Sequence, residues 1–259
     1  MSVQVNQLAQ EAFNAGQINQ TALQVMQVPD LGAKIQNALG VPPDLASSGM
    51  ITLVGILLDD SSSIASAHNT DNVIEGFNLI RDAIAASAEA DTVQMFVDQM
   101  NHGGSNGFQV MSDVMRLDRT NFRPHGATPL YDKALLLYST ILAKTHWYEQ
   151  SGVACRSISC IITDGAEYGS REGTPAKVKA LVDSLLQQEQ HVVTAVGIDD
   201  GSTDFVSVFT KLGLLRDFIL TPKNSPSEIR KAFQMVSKSV GQVSAAAGGN
   251  VSKLGGFGS

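Results

Sequence analysis

One apolar segment, residues 51–58, constrains the fold of this chain more than any other part of its sequence. It reads Ile-Thr-Leu-Val-Gly-Ile-Leu-Leu and is followed at once by two aspartates, Asp59 and Asp60. A strand with one face in water alternates apolar and polar residues, whereas a strand covered on both faces is apolar almost throughout. We therefore predict a central β-strand in a sheet that carries helices on both sides.

The segments that follow alternate between strand and helix patterns. We predict further strands at 93–100, 108–111, 157–163, 192–198 and 218–220. We predict helices at 69–87, 129–148, 175–187, 203–212 and 226–240. Such alternation is typical of right-handed crossovers between parallel strands. The predicted fold class is α/β, a doubly wound, mostly parallel, Rossmann-like sheet with a helical N-terminal arm.

Two terminal segments differ in composition from the α/β domain, which we assign to residues 49–243. Residues 1–48 are poor in charge and rich in Gln and Asn, and their apolar residues recur at helical spacing. This N-terminal arm lacks the apolar area to fold alone, so we expect it to dock on the domain or on a partner. Residues 244–259 are mostly Ala, Gly, Ser and Asn, which predicts a flexible tail.

The charge balance excludes several classes of partner. Asp and Glu total 25 against 18 Lys and Arg, so the formal net charge is −7. A basic surface for nucleic acid or for an anionic membrane is therefore not expected. No apolar run reaches the ~20 residues of a transmembrane helix, and the Lys or Arg of a signal peptide is missing before Lys34. We expect a cytoplasmic protein that binds neither nucleic acid nor membrane.

Oxygen-bearing side chains collect where predicted strands end and one helix begins. The set comprises Asp59, Ser61 and Ser63 after the first strand, Thr128 before a helix, and Asp164 after a later strand. The carboxyl ends of parallel strands share one edge of the sheet, and ligands of such folds bind there. Carboxylate and hydroxyl oxygens are hard ligands that suit Mg²⁺. The sequence therefore predicts a magnesium site at this edge.

This set of residues resembles the metal-ion-dependent adhesion site (MIDAS) of von Willebrand factor A (VWA) domains. All five positions of that motif hold the expected residue types. The buried strand before Asp59 and the Gly-Ala-Thr-Pro-Leu segment around Thr128 are also similar to the family. The resemblance covers about residues 50–240 and implies a VWA fold with a complete MIDAS.

The resemblance implies a role for each of these residues. Ser61 and Ser63 would ligate an Mg²⁺ or Mn²⁺ ion directly, and Thr128 would do so directly or through water. Asp59 and Asp164 would lie mostly behind waters. Because neutral hydroxyls leave the ion undercompensated, it would take an Asp or Glu carboxylate from a partner protein. The resemblance thus implies a binding module and not an enzyme.

The motif segments are flanked by residues suited to a partner-selecting rim. They are His125, Tyr131, Glu167 and Tyr168. The alternative is that all four are ordinary exposed loop residues. The five histidines of the chain show no metal-binding spacing in the sequence.

Other interpretations stay open at the level of sequence. Asp59 and Ser61 also suit helix N-caps. Asp59-Asp60 also resembles the acidic pair of a phospho-acceptor receiver domain, with Asp98 as the acceptor, although the required lysine, Lys223, lies too far along the chain. A Mg²⁺-dependent phosphohydrolase would use Asp59 as its nucleophile, but Ser61 stands where a general acid is needed.

Within the VWA family, the chain is weakly similar to one bacterial branch. Residues 233–239 resemble the Phe-x-x-Val-Ser-x-Ser ending of tellurium-resistance-associated VWA proteins. This similarity implies a cytoplasmic adaptor or assembly subunit in a stress response. Its protein partner would belong to an AAA+ ATPase or a kinase–phosphatase system, as for other cytoplasmic VWA proteins.

Overall fold

The structure is a computed structural model that describes residues 4–43, 49–102, 106–246, 251, 256 and 257. Within these residues, the strands are β1 (Met50–Leu58), β2 (Val93–Gln99), β3 (Gln109–Val110), β4 (Ala154–Thr163), β5 (His191–Gly197) and β6 (Ile219–Leu220). They form one sheet in the order β3–β2–β1–β4–β5–β6. Only the β2–β3 pair is antiparallel. The predicted α/β class with a mostly parallel sheet is confirmed.

Helices cover both faces of this sheet. The α-helices of the described residues are α1 (Val5–Asn14), α2 (Gln20–Met26), α3 (Pro29–Ala38), α4 (Ser62–Ser66), α5 (Thr70–Ala85), α6 (Leu130–Gln150), α7 (Pro175–Gln187), α8 (Phe205–Lys211) and α9 (Pro226–Ala245). On one face, α6, α7 and α8 contribute to a core that includes the N-terminal helices. On the other face, α5 and α9 enclose a second core.

The central strand β1 is buried on both faces, as its apolar sequence predicted. Its side chains at 51, 53 and 57 join the core around α6. Those at 54, 56 and 58 join the core around α5 and α9. Gly55 faces α6, and a Cβ at this position would lie 2.7 Å from Leu137 Cδ1 and 3.1 Å from Ile141 Cδ1. The missing side chain therefore lets α6 pack closely against the sheet.

The predicted N-terminal helices are present, and they pack on α6 and α7. Their apolar side chains belong to the same core as those of α6. After α3 the chain turns at Gly40, whose φ is +59°, and a Cβ there would collide with the Phe108 carbonyl. The Phe108 N–H donates to the Ala38 carbonyl at 3.0 Å, and its carbonyl accepts the Val41 N–H at 3.0 Å. The arm is therefore joined to the domain through backbone as well as side chains.

The C-terminal helix α9 continues to Ala245, five residues past its predicted end. Beyond it, Val251 is buried and donates its N–H to the Glu189 carbonyl at 3.1 Å. The Phe257 N–H donates to the Asp217 carbonyl at 2.8 Å. The flexible tail stays a prediction, because residues 247–250, 252–255 and 258–259 lie outside the described residues, as do residues 44–48 at the predicted arm boundary.

None of the helices in the described part of the chain combines the length and the apolar character that crossing a membrane requires.

Candidate metal centre

The five predicted metal ligands come from three segments at one edge of the sheet. Asp59 follows β1, Ser61 and Ser63 open α4, Thr128 precedes α6, and Asp164 follows β4. β1 and β4 are neighbours, and their pairing extends one residue further because the Asp59 N–H donates to the Ile162 carbonyl at 2.8 Å. The strand order reverses direction between these two strands. Such a switch point is where open α/β sheets form ligand crevices.

Asp59 organises the loop that carries the serines. It is buried, and its Oδ1 accepts the Ser61 N–H at 2.8 Å. Its Oδ2 accepts the Thr163 hydroxyl at the end of β4. Burial raises the pKa of Asp59 above its ordinary value, and the hydrogen bonds from Ser61 and Thr163 oppose that rise. Asp59 thus ties the start of α4 to β4.

The two serine hydroxyls and Asp164 form a hydrogen-bonded chain. Ser63 Oγ donates to Asp164 Oδ1 at 2.6 Å. Ser61 Oγ lies 2.8 Å from Ser63 Oγ, and it is the donor of that pair because the Ser63 proton goes to Asp164. The protons are therefore donated in the order Ser61 to Ser63 to Asp164.

Thr128 lies at the same place, although it comes from a separate loop. Its backbone pairs with Tyr168 in both directions, N–H to carbonyl at 3.0 Å and 2.9 Å. A Cβ placed on Gly165 would lie 3.5 Å from Thr128 Oγ1 and 3.4 Å from Ser63 Oγ. Both hydroxyls thus line the small space beside Gly165, which the lack of a side chain keeps open.

Asp164 is the residue of this set whose surroundings best suit a nearby cation. Its residue is 3% exposed, and its Oδ2 has no hydrogen-bond partner among the described residues. Burial raises the pKa of Asp164 to about 6, and the nearby Asp59 charge raises it further, while the Ser63 hydroxyl lowers it. The Asn69 amide is near enough to lower it as well, but its Nδ2 makes no hydrogen bond to the carboxylate and is itself buried without a partner among the described residues. A buried, unpartnered carboxylate oxygen beside hydroxyl oxygens fits a hard divalent ion. The residues present are therefore suited to the ion that the motif implies.

Comparisons with known proteins add evidence about the fold. No family model matches the sequence, and no curated protein matches it. The pilus adhesin SpaC from Lactobacillus rhamnosus GG is similar over 74% of this chain and 31% of its own, with a TM-score of 0.56 and 12% identity. Proximal thread matrix protein 1 from the mussel byssus is similar over 74% of this chain and 48% of its own, with a TM-score of 0.50 and 18% identity. The VWA domain of SpRpn10 is similar over 71% of this chain and 94% of its own, with a TM-score of 0.47 and 13% identity.

The fold of this chain is therefore similar to folds found in SpaC and in proximal thread matrix protein 1. The matched region spans about half of the mussel protein and about a third of SpaC. At these identities the likeness concerns the fold alone. The chemistry of the site therefore has to be inferred from this chain's own residues at the carboxyl edge of the sheet.

The four residues predicted to form a rim have different environments. Tyr168 is 76% exposed and is held beside the site by its backbone pairing with Thr128. His125 is exposed as well. Glu167 instead accepts the Tyr131 N–H at 2.9 Å and bonds from the N–H and hydroxyl of Ser170, so it stabilises the loop. Tyr131 is half-buried, which leaves Tyr168 and His125 as the side chains most available to a partner.

One cluster beside the site was missed by the sequence interpretation. Asp60, His102 and His125 each offer a ligand atom, and these atoms lie within 4.8 Å of one another. The three residues come from separate segments, so spacing along the chain does not reveal them. A usable signal was present, because Asp60 and His102 follow the adjacent parallel strands β1 and β2.

Proposed function

We propose that this chain is a divalent-cation-dependent protein-binding module. The observation that carries the proposal is the buried Oδ2 of Asp164, which has no hydrogen-bond partner within the described residues, while Oδ1 of the same carboxylate accepts the Ser63 hydroxyl. A charged carboxylate that is buried with one oxygen unpartnered destabilises the folded chain unless a cation stabilises it. The site also occupies the switch point of a VWA-like sheet, where ligands bind.

The metal would be Mg²⁺ or Mn²⁺, held by the five residues of the motif. Ser61, Ser63 and Thr128 would provide neutral hydroxyl ligands, and Asp59 and Asp164 would act mostly through water. When bound, the ion would supply a coordination position that an anionic oxygen of another protein can take. Asp59 keeps the serine loop in place through its bonds to the Ser61 N–H and the Thr163 hydroxyl.

The partner in this proposal presents one Asp or Glu side chain to the site. The chain carries a formal net charge of −7, so long-range attraction does not favour a strongly acidic partner. We therefore expect the acidic side chain to lie in an otherwise neutral or basic surface. The exposed Tyr168 ring would contact the partner next to the metal.

Two observations favour binding over the catalytic alternatives. Both oxygens of Asp59 accept hydrogen bonds and the residue is buried, so it is poorly placed to act as the nucleophile of a phosphohydrolase. Asp98, the acceptor of a receiver domain in the alternative interpretation, is buried and paired with Lys133 at 2.9 Å. The assignment to a bacterial stress-response complex, with an AAA+ ATPase or a kinase–phosphatase partner, stays a prediction from the sequence.

A melting experiment with matched serine variants tests the proposal. Mg²⁺ or Mn²⁺ at millimolar concentration should raise the melting temperature of the wild type, because the ion binds the folded site and not the unfolded chain. Ser61→Ala and Ser63→Ala should lose this rise. Ser62→Ala is the matched control, since Ser62 lies between them in the same loop and is exposed. A wild type that does not respond, or a Ser61→Ala variant that responds fully, would contradict the metal site.

Affinity capture in the presence and absence of a chelator tests the binding role. We expect EDTA and Asp164→Ala to weaken a captured complex to a similar extent, because both remove the position that receives the partner's carboxylate. Ser62→Ala should leave capture unchanged. Metal-dependent hydrolysis of phosphate esters that disappears in Asp59→Ala would instead favour the enzyme alternative.

A further inference from the structure

We propose that Asp60, His102 and His125 form a second metal site, which binds a divalent ion of the zinc class. This inference goes beyond the proposed function and shares none of its five ligands. It starts from the cluster in which one ligand atom of each residue lies within 4.8 Å of the others. The cluster combines two imidazoles with a carboxylate, whereas the first site offers only oxygen.

Asp60 supplies a fixed and fully buried negative charge. The residue is 0% exposed. Its Oδ1 accepts the backbone N–H of Asn101 at 2.7 Å and the Asn101 side-chain amide at 3.2 Å. Its Oδ2 accepts the His102 N–H at 3.1 Å and lies 2.5 Å from His102 Nδ1. Oδ2 is therefore the oxygen that faces the imidazoles.

Both histidine rings are anchored through Nδ1. The Nδ1 of His102 bonds the Asp60 carboxylate, and the Nδ1 of His125 lies 2.9 Å from the Arg123 carbonyl. A carbonyl oxygen only accepts, so His125 Nδ1 carries the proton, and in the neutral ring Nε2 keeps a free lone pair. His125 is thus held as many metal-binding histidines are, by a carbonyl on the nitrogen that does not bind the metal. His102 differs, because its Nδ1 faces Asp60 Oδ2, which is itself a ligand of the proposed site. His102 would therefore bind through Nδ1, with the ion replacing the proton that lies between Nδ1 and Oδ2.

The two rings are also close enough to share an ion. Their centroids are 4.6 Å apart at an interplanar angle of 75°. The backbone N–H of His125 donates to the Asp60 carbonyl at 2.6 Å. This hydrogen bond joins the loop that carries His125 directly to the segment that carries Asp60. Tetrahedral zinc with bonds of about 2.0–2.1 Å needs neighbouring ligand atoms about 3.3 Å apart. All three ligand atoms lie within 4.8 Å of one another, and His102 Nδ1 is 2.5 Å from Asp60 Oδ2. Binding would therefore need the exposed His125 ring to move closer and His102 Nδ1 to move slightly away from the carboxylate.

The ligand chemistry sets this site apart from the first. Imidazole nitrogens favour Zn²⁺, Ni²⁺, Co²⁺ or Cu²⁺, whereas an all-oxygen site favours Mg²⁺ or Mn²⁺. Two imidazoles and one carboxylate leave room for water or for a ligand from another molecule in a four-coordinate ion. The two sites should therefore be loaded independently by different metals.

Titration of the full chain with Zn²⁺ in the presence of excess Mg²⁺ tests this inference. We expect calorimetry to show a zinc site in the wild type, and Co²⁺ to give the visible absorption of a low-coordinate nitrogen–oxygen site. His125→Ala and His102→Ala should each weaken zinc binding by at least about tenfold. His125→Ala is the safer variant for folding, because its exposed ring bonds only a carbonyl of an exposed loop.

Two controls separate this site from other zinc binding. His68→Asn changes an exposed histidine with a φ of +58°, which Asn tolerates, and it should leave zinc affinity unchanged. Ser61→Ala should abolish the Mg²⁺ response and keep the zinc site. A wild type without zinc binding at micromolar concentration, equal affinity in wild type and His125→Ala, or loss of zinc binding in Ser61→Ala would each overturn the inference. A missing Mg²⁺ response with an intact zinc site would contradict the proposed function alone.

Discussion

Asp164 buries one carboxylate oxygen without a hydrogen-bond partner among the described residues while the other accepts the Ser63 hydroxyl. Burial raises the pKa of this carboxyl to about 6, so its charged form is disfavoured in the folded chain. A neighbouring divalent ion reverses that effect, because its charge stabilises the carboxylate. At the scale of the residue, burial of Asp164 therefore lowers the stability of the folded chain, and the proposed metal binding would offset that loss.

Replacing Asp164 by Asn separates the destabilisation by the buried charge from the stabilisation by a bound ion. Asn has a similar shape and carries no charge, so in EDTA the free energy of unfolding should stay the same or rise by about 1–2 kcal/mol. The extra stabilisation by Mg²⁺ should disappear. Urea denaturation with EDTA and with Mg²⁺ measures both quantities, and Asp183→Asn on the exposed face of α7 serves as the control. A loss of several kcal/mol in EDTA would show that Asp164 is structural instead.

At the scale of elements, two contacts between helices and their neighbours depend on missing side chains. Gly55 lets α6 approach β1, and Gly76 lets the Phe233 ring of α9 lie against α5. A Cβ at position 76 would collide with that ring, and Phe233 is itself fully buried. The crossing of α5 and α9 thus requires glycine at this point, although glycine is a weak helix former.

Two glycine-to-alanine changes test this contact. Gly76→Ala should lower the free energy of unfolding by about 1–3 kcal/mol, because overpacking outweighs the gain in helix propensity. Gly241→Ala in α9 is the matched control, since no atom lies within 4 Å of the added Cβ. It should raise the free energy of unfolding by about 0.5–1 kcal/mol. Equal effects of the two substitutions in thermal or urea unfolding would argue against the crowding.

At the scale of the whole molecule, a buried lysine joins the N-terminal arm to the α/β domain. Lys144 on α6 is 0% exposed, and its Nζ donates to the carbonyls of Leu39, at 2.7 Å, and Val41. The rings of Trp147 and Tyr148 lie 5.0 Å from the same nitrogen. The Leu39 and Val41 carbonyls, which follow α3, therefore accept hydrogen bonds from a lysine of the α/β domain. These directional bonds make the docking of the arm specific.

The pH dependence of stability should report this burial. Burial lowers the pKa of Lys144 from 10.5 to about 7. Between these values the unfolded chain binds more protons than the folded chain, so the free energy of unfolding rises with pH, by up to about 1.4 kcal/mol per unit. Burial raises the pKa of Cys155 to about 12 and also raises the pKa of Tyr148, so both stay protonated in the folded chain. In the unfolded chain Cys155 ionises near its ordinary pKa of 9.0, which lowers the free energy of unfolding as the pH rises and opposes the effect of the lysine.

Comparison with Lys144→Met isolates the effect of the lysine. The difference in free energy of unfolding, wild type minus Lys144→Met, should grow as the pH rises from 7 to 9. Lys231→Met at an exposed position of α9 should show no such trend. A flat difference for Lys144→Met would mean that the buried amine keeps the same protonation in both states.

Much of the fold followed from local patterns. The apolar segment 51–58 predicted a doubly covered strand, and β1 is the buried centre of the sheet. The amphipathic pattern of α6 is weak, because the N-terminal arm covers one side of the helix and the sheet covers the other. A helix that is buried on both sides has apolar residues all round and therefore no single apolar stripe.

The sequence by itself determined the α/β class and the meeting of Asp59, Ser61, Ser63, Thr128 and Asp164. Neighbouring parallel strands end at one sheet edge, so Asp59 and Asp164, which follow β1 and β4, are near each other. Thr128 precedes α6 and was included through the resemblance to the motif. Only the tertiary structure decided that Asp164 Oδ2 is left without a partner in the described part of the chain, that Lys144 holds the arm, and that His102 meets His125. Contacts made by irregular loops and by docked helices form only when segments that are distant in sequence pack together. Neither a periodic pattern of apolar residues nor the local helix or strand propensity predicts such contacts.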